Sequence, residues 1–281
     1  MTYDGLPQGM IDLHTHSAPS VYPRRYCDAE LVGLARSLGF AAVVLKAHEG
    51  STTERAALVG SGAVGGIVLN AAVGGANPDA VRVNAALGGR VVWMPTVSAE
   101  AHQAAEASAE LSVHRGSRMP AVPVCNDGRL RPEWMPVLEV VAAHDLVLAS
   151  GHLHLDETVC LFHAAARLGV RRLLVNHPLM PFQGWRADHA AELAQLDAYV
   201  EIGALMDHLL PADPVPTERL LAAYPHRLIV VGHDLGHAAF PDYRDGVTAW
   251  HRRAAGLIGE AALEVIATAN GRDLLGLLAA P

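Results

Sequence analysis

The chain has 281 residues, 51% of them hydrophobic and 18% charged, so it can build a large core and is far from a disordered composition. Its 21 Lys and Arg against 29 Asp and Glu leave a net charge of −8, and aromatic residues are only 5%, which argues against a nucleic-acid partner that needs a basic face or stacking platforms. Cys27, Cys125 and Cys160 are scattered, suggesting neither a disulfide framework nor a Cys-x-x-Cys metal site and fitting a reducing cytoplasm; the first ten residues hold no apolar leader and no long apolar run follows, so no membrane partner is expected.

The first predicted strand, 11–16, reads Ile-Asp-Leu-His-Thr-His. Alternate strand residues share a face about 6.5 to 7 Å apart, so His14 and His16 can reach one metal ion. Leu31, Leu34, Ala35 and Leu38 mark a helix over 28–38 that Gly39 stops. The second strand, 41–48, ends on Lys46-x-His48, and Ser51 with Glu54 forms a capping box for a helix ended by Gly60. A third strand is predicted over 67–73; Asn77-Pro78 opens the next helix, Gly88-Gly89 closes it, and a fourth strand covers 91–97. The remaining strands are expected at 146–152, 171–177, 198–203 and 228–234, with helices at 132–143, 156–168, 188–197, 217–224 and 259–269. Two long connections, 98–131 and 235–258, suit lid or substrate-recognition segments.

Strand and helix alternate eight times, which implies a parallel sheet closing as a (β/α)8 TIM barrel, with the whole chain, 1–281, as one domain. An open doubly wound sheet is the alternative, but it gathers mainly the strand ends at its switch point. The ligand-type residues here are spread over many strand ends. His14, His16, His152, His177 and Asp234 offer four imidazoles and a carboxylate, a set that suits Zn2+, with Mn2+ or Fe2+ as alternatives. A metal lowers the pKa of bound water to about 7, and Asp234 is the residue placed to take its proton.

On these residues the chain resembles the amidohydrolase superfamily of metal-dependent hydrolases. His14-x-His16, His152, His177 and Asp234 follow that superfamily's ligand order, and Thr268 to Leu277 resembles its closing segment. The Lys46-x-His48 strand is similar to that of a small, poorly characterised branch. The resemblance implies a metal-dependent hydrolase that turns activated water on an amide, lactone or ester-like bond of a small molecule, with Asp234 as proton shuttle. Two-metal relatives carry a bridging carboxylated Lys or a Glu on the fourth strand; 91–96 has neither, so Lys46, carboxylated, or His48 stands in as a ligand and the expectation is one or two ions. Phosphoester hydrolysis of the polymerase-and-histidinol-phosphatase type, decarboxylase or lyase chemistry, and a non-catalytic metal-binding role are the alternatives.

Other residues have bland readings beside functional ones. Arg24 can hold an anionic substrate or lie on a solvated loop with Arg25, and Lys46 can hold a carboxylate or phosphate. His154 rivals His152, Glu201 is a core ion partner that can orient an imidazole, His233 is expected outside the barrel, and His237 can reach its mouth. Trp93 either fills the barrel or lines the pocket. Of the sixteen histidines, His102, His114, His144, His163, His189, His226 and His251 read as surface or helix residues. A homo-oligomer is the default assembly.

Overall fold

The computed structural model describes residues 6–108 and 119–277; the expectation for His114 lies outside them. Eight parallel strands run in chain order around a ring. They are β1 (Met10–His16), β2 (Phe40–Lys46), β3 (Ala63–Val64 and Gly66–Val68), β4 (Val91–Trp93), β5 (Val147–Ala149), β6 (Arg172–Val175), β7 (Tyr199–Ile202) and β8 (Ile229–Val231). Each pairs with the next; β3 is interrupted at Gly65, its first part lying on β2 and its second on β4. Backbone bonds past the end of β8 close the circuit: Asp234 N–H donates to the His14 carbonyl at 2.8 Å and His16 N–H to that of Leu235 at 2.9 Å.

Helices fill the connections: α1 (Asp28–Ser37), α2 (Thr53–Val59), α3 (Pro78–Ala86), α4 (Glu100–Ala107), α5 (Met135–Ala143), α6 (Leu155–Arg167), α7 (Ala187–Gln195), α8 (Ala204–Leu209), α9 (Pro216–Ala223), α10 (Tyr243–Ile258), α11 (Glu260–Val265) and α12 (Gly271–Leu275). Among the described residues, no helix is long and apolar enough to cross a membrane. Asn77 caps α3 as its sequence predicts, accepting from Ala80 N–H at 3.1 Å. At α2 the Ser51 hydroxyl accepts from Thr53 N–H and donates to Glu54, so the box residues meet although Thr52 is the cap position.

Two apolar layers result. Ile11, Leu13, Val44, Val68, Val91 and Trp93 belong to the barrel interior, while Leu31, Phe40, Val92, Leu148 and Phe162 pack between strands and helices. Trp93 is therefore barrel filling. Leu274 and Leu275 of the closing segment join the interior cluster. Truncating a fully buried leucine such as Leu13 to Ala here costs about 2–5 kcal/mol.

Two features of the strands differ from simple expectation. Asp12 lies opposite Val43 and Thr15 opposite Leu45, so β1 takes one residue more than β2 over this stretch. The resulting bulge breaks the alternation, letting Leu13 pack inside while His14, the next residue, also reaches the site. The third strand lies at 63–68 rather than 67–73. Ala71–Val73 coils into a 3-10 turn that Gly74 ends at φ +87°, a conformation glycine adopts without a Cβ penalty. The connections of 98–131 and 235–258 contain α4 and α10, helices that turn-rich composition concealed.

Candidate metal centre

At the C-terminal mouth of the ring, five imidazoles form a closed circle. Ring centroids are 5.2 Å apart for His14 and His16, 4.9 Å for His16 and His48, 5.7 Å for His48 and His152, 5.0 Å for His152 and His177, and 5.7 Å for His177 and His14. Asp234 stands beside them, with Oδ1 at 3.0 Å from the Nε2 atoms of both His14 and His16. His14, His177 and Asp234 each offer a ligand atom within 4.8 Å of the other two. His177 and Asp234 sit just past their strands at φ +29° and +54°, left-handed backbone that is costly for histidine and that directs both side chains inward.

The tautomers decide what this cluster holds. His16 Nδ1 lies 3.0 Å from the Lys46 carbonyl, which can only accept, so Nδ1 carries the proton. His14 Nδ1 lies 3.0 Å from Glu201 Oε1, with the same consequence. With Nδ1 protonated, each Nε2 is the ring nitrogen turned toward Asp234 Oδ1, and Lys46 Nζ lies 2.9 Å from that of His14; a divalent cation bound among them would take the place of a proton there. Tetrahedral zinc with bonds of about 2.0–2.1 Å separates its ligands by about 3.3 Å, close to the spacing here. His177 Nδ1 is buried and has no hydrogen-bond partner among the described residues, as a ligand atom would be. The residues fit a divalent metal.

Burial shapes the charges. Desolvation, and then Arg24, hold His16 well below the ordinary imidazole range, and desolvation lowers His177 to about 4 and His152 further than the usual range allows. These imidazoles are neutral and competent to ligate. Burial also opposes a charge on His14, but Asp234 and Glu201 outweigh it and raise that imidazole to about 9. Although desolvation would raise Asp234, His14 and His16 hold it well below the carboxylate range. Lys46 is buried with Nζ 2.9 Å from His14 Nε2, and desolvation brings its amine down to about 8.

Glu201 does what a metal-orienting carboxylate does. Its Oε1 accepts from His14 Nδ1 and, at 3.3 Å, from His177 N–H, while Oε2 accepts from Asn176 Nδ2 at 2.8 Å. His152 is held by a residue the sequence did not single out. His102, on α4, is buried with Nδ1 2.9 Å from His152 Nδ1, and its Nε2 lies 3.4 Å from Glu106 Oε1. His102 is a helix histidine, as expected, but a buried one, because the 98–131 connection folds its helix over the mouth. The available signal was a His and a Glu four apart in an Ala-rich stretch. His48 Nδ1 lies 2.8 Å from Thr96 Oγ1. His48 and His152 thus line the mouth outside the trio of mutually close ligand atoms.

The other expectations sort clearly. His154 turns away to cap α6, accepting from Asp156 N–H at 3.2 Å. His233 packs outside the barrel against Trp250, with ring centroids 5.0 Å apart. Arg25 points to the surface and donates to the Ala238 and Phe240 carbonyls. Arg24 lines the mouth with His237, Met180, Phe182, Leu205 and Phe240, around a cleft of about 450 Å³ of empty space with its open mouth included. Its Nε donates to Ser20 Oγ at 3.3 Å, and its Nη2 is buried without a hydrogen-bond partner among the described residues.

The strand ring and this site define an eight-stranded parallel α/β barrel with a histidine-lined mouth. The chain belongs to the family described as a family of unknown function, DUF6282, whose model matches residues 9–201. No curated protein matches the sequence. Among solved structures, the chain is similar to a protein from Pseudomonas putida assigned as a 2-pyrone-4,6-dicarboxylic acid hydrolase, at 17% identity and a TM-score of 0.64 over 98% of this chain and 100% of that one. It is also similar to a dihydroxybenzoic acid decarboxylase from Polaromonas sp. JS666 with bound manganese, at 13% identity and a TM-score of 0.62 over 98% of each chain. An amidohydrolase from Burkholderia multivorans with bound zinc matches at 15% identity and a TM-score of 0.54, over 96% of this chain and 100% of that one. At these identities the likeness is one of fold.

Proposed function

We propose that the protein is a metal-dependent hydrolase that cleaves an amide, lactone or ester-like bond of a small molecule. The observation that carries this reading is the convergence of His14 Nε2 and His16 Nε2 on Asp234 Oδ1, each at 3.0 Å, with a ligand atom of His177 within 4.8 Å of those of His14 and Asp234. His14, His16, His177 and Asp234 would hold the ion, Zn2+ in the first instance. A divalent cation there supplies an activated water nucleophile at neutral pH. Asp234 is the most exposed of the four and combines a carboxylate with access to the cleft, so it takes the water's proton and passes it to the leaving group. Glu201 fixes the His14 tautomer throughout. Lys46, its amine made easier to deprotonate by burial, is the position for carboxylation and a second ion.

Arg24 holds an anionic substituent of the substrate. Its buried Nη2 has no hydrogen-bond partner among the described residues, and Glu49 and Asp234 are carboxylates whose fields reach it. This same residue favours a second reading, decarboxylation of a carboxylated ring, in which Arg24 positions the carboxylate. Product analysis separates the two, by released CO2 against the hydrolysed acid.

The test is metal content with turnover on a panel of lactones, esters and amides. The protein is expected to carry near-stoichiometric divalent metal, His14→Ala to lose metal and turnover, and Asp234→Asn to lose turnover. Unchanged metal content and turnover in both variants would sink the proposal.

A further inference from the structure

Behind His48, one member of the circle of imidazoles, lies a buried hydrogen-bond network that bears on where its proton sits. Asn70 Oδ1 accepts from the backbone N–H groups of Thr96 at 2.7 Å and Ser98 at 3.1 Å, while its Nδ2 donates to the backbone carbonyl of His48 at 2.9 Å. Those backbone partners allow only one orientation of the amide. Asn70 Nδ2 therefore also donates to Thr96 Oγ1, at 2.7 Å. Among the described residues, the polar partners of Thr96 Oγ1 are Asn70 Nδ2 and His48 Nδ1, the latter at 2.8 Å. Having accepted from Asn70, the threonine hydroxyl has its own proton to place, and His48 Nδ1 is the acceptor within reach. All three residues are buried, so the alternative strands a hydroxyl proton away from water.

We infer that His48 is a neutral imidazole with its proton on Nε2, and that it is a catalytic residue of the proposed hydrolase: a hydrogen-bond donor to the substrate's carbonyl oxygen as charge builds there, not a metal ligand. His14 and His16 have the opposite tautomer because their Nδ1 atoms face a carboxylate and a carbonyl. His48 faces the same cleft as Arg24, His152, His177 and Asp234, stacked on His16 with an interplanar angle of 29° and met edge-on by the Tyr22 ring at 5.4 Å. A buried imidazole N–H in the wall of that cleft would serve as an oxyanion donor. The inference rests on the proposed hydrolase reading for its chemistry but not for its tautomer.

Long-range proton–nitrogen correlation spectra of the histidine-labelled, zinc-loaded protein read the tautomer directly, with the His48 signals assigned from their loss in His48→Gln. The expected result is a protonated Nε2 and an unprotonated Nδ1 at His48, retained in Thr96→Ser and lost or averaged in Thr96→Val. His48→Gln is expected to keep wild-type metal stoichiometry while kcat on an ester or lactone falls about 10²–10³-fold, the usual loss of one oxyanion donor. Thr96→Val should lower kcat in the same direction with the imidazole still present, and Thr96→Ser should restore it. A protonated Nδ1 at His48, metal loss in His48→Gln equal to that in His14→Ala, or an unchanged kcat in His48→Gln each overturns the assignment. The spectra answer even if no hydrolytic substrate is found, which separates this failure from that of the hydrolase reading.

Discussion

Replacing Glu201 by Gln removes one charge and almost no volume, and it isolates the orienting role of that side chain. Glu201 receives three donors: His14 Nδ1, His177 N–H and Asn176 Nδ2. A glutamine offers one oxygen and one NH2 group, so at least one of the three donors must meet a donor instead. A buried donor left unmatched costs about 1–3 kcal/mol, and that is the expected loss of metal-free stability in urea unfolding. The second consequence is specific to a metal site. Without the carboxylate, His14 is no longer held with its lone pair on Nε2, and loss of such an outer partner weakens metal binding about 10–100-fold. Chelator competition on the folded variant measures that affinity. A stability loss with unchanged metal affinity would mean that Glu201 is a core ion partner only, and the account of how His14 is oriented would be wrong.

Arg24→Met should raise KM for a carboxylate-bearing substrate about tenfold or more while leaving KM for a neutral analogue unaltered, measured on paired substrates; equal effects on both would remove the anion-binding role. Gly236→Ala should destabilise the protein and lower metal occupancy together, since Gly236 has φ +115° and an added Cβ would lie 1.8 Å from the His16 carbonyl oxygen; calorimetry and metal analysis check both. His233 is packed among Phe40, Tyr243 and Trp250, and burial depresses its imidazole to about 3 from an ordinary value near 6.5. Between those values the unfolded chain binds a proton that the folded one does not. This group's stabilisation is therefore complete above pH about 6.5 and declines as pH falls toward about 3, by at most about 1.4 kcal/mol per pH unit. His233→Phe should flatten that part of the acid-unfolding curve, and an unchanged slope would contradict the neutral, buried state.

The strands and the ligand types were legible in the sequence because they follow local rules. Apolar runs bounded by turns pointed to the eight strands, and ligand-type residues at their ends pointed to His14, His16, Lys46, His48, His152, His177 and Asp234, which the structure brings to one mouth. What escaped depends on contacts between distant segments. The bulge at Asp12–Thr15 is a matter of register between β1 and β2, invisible in β1 alone. His102 reaches His152 across 50 positions, through a helix in a connection whose Ala and Glu content carries no strand-end signal. The role of His48 depends on Thr96 and Asn70, both ordinary polar residues in the sequence, and only their shared hydrogen bonds show which way its proton points. The third strand was displaced because residues 71–73 read as apolar enough for a strand, while Gly74 turns the backbone out of it.

An anomalous-scattering crystal structure of the purified protein, collected at the absorption edge of the metal found by elemental analysis, tests the central claim most directly. The account predicts a peak bounded by His14 Nε2, His16 Nε2, His177 and Asp234, with an open coordination position facing the cleft beside Arg24 and His48. A metal-replete crystal with no peak there, or an ion closed off by protein ligands on every side, would contradict it.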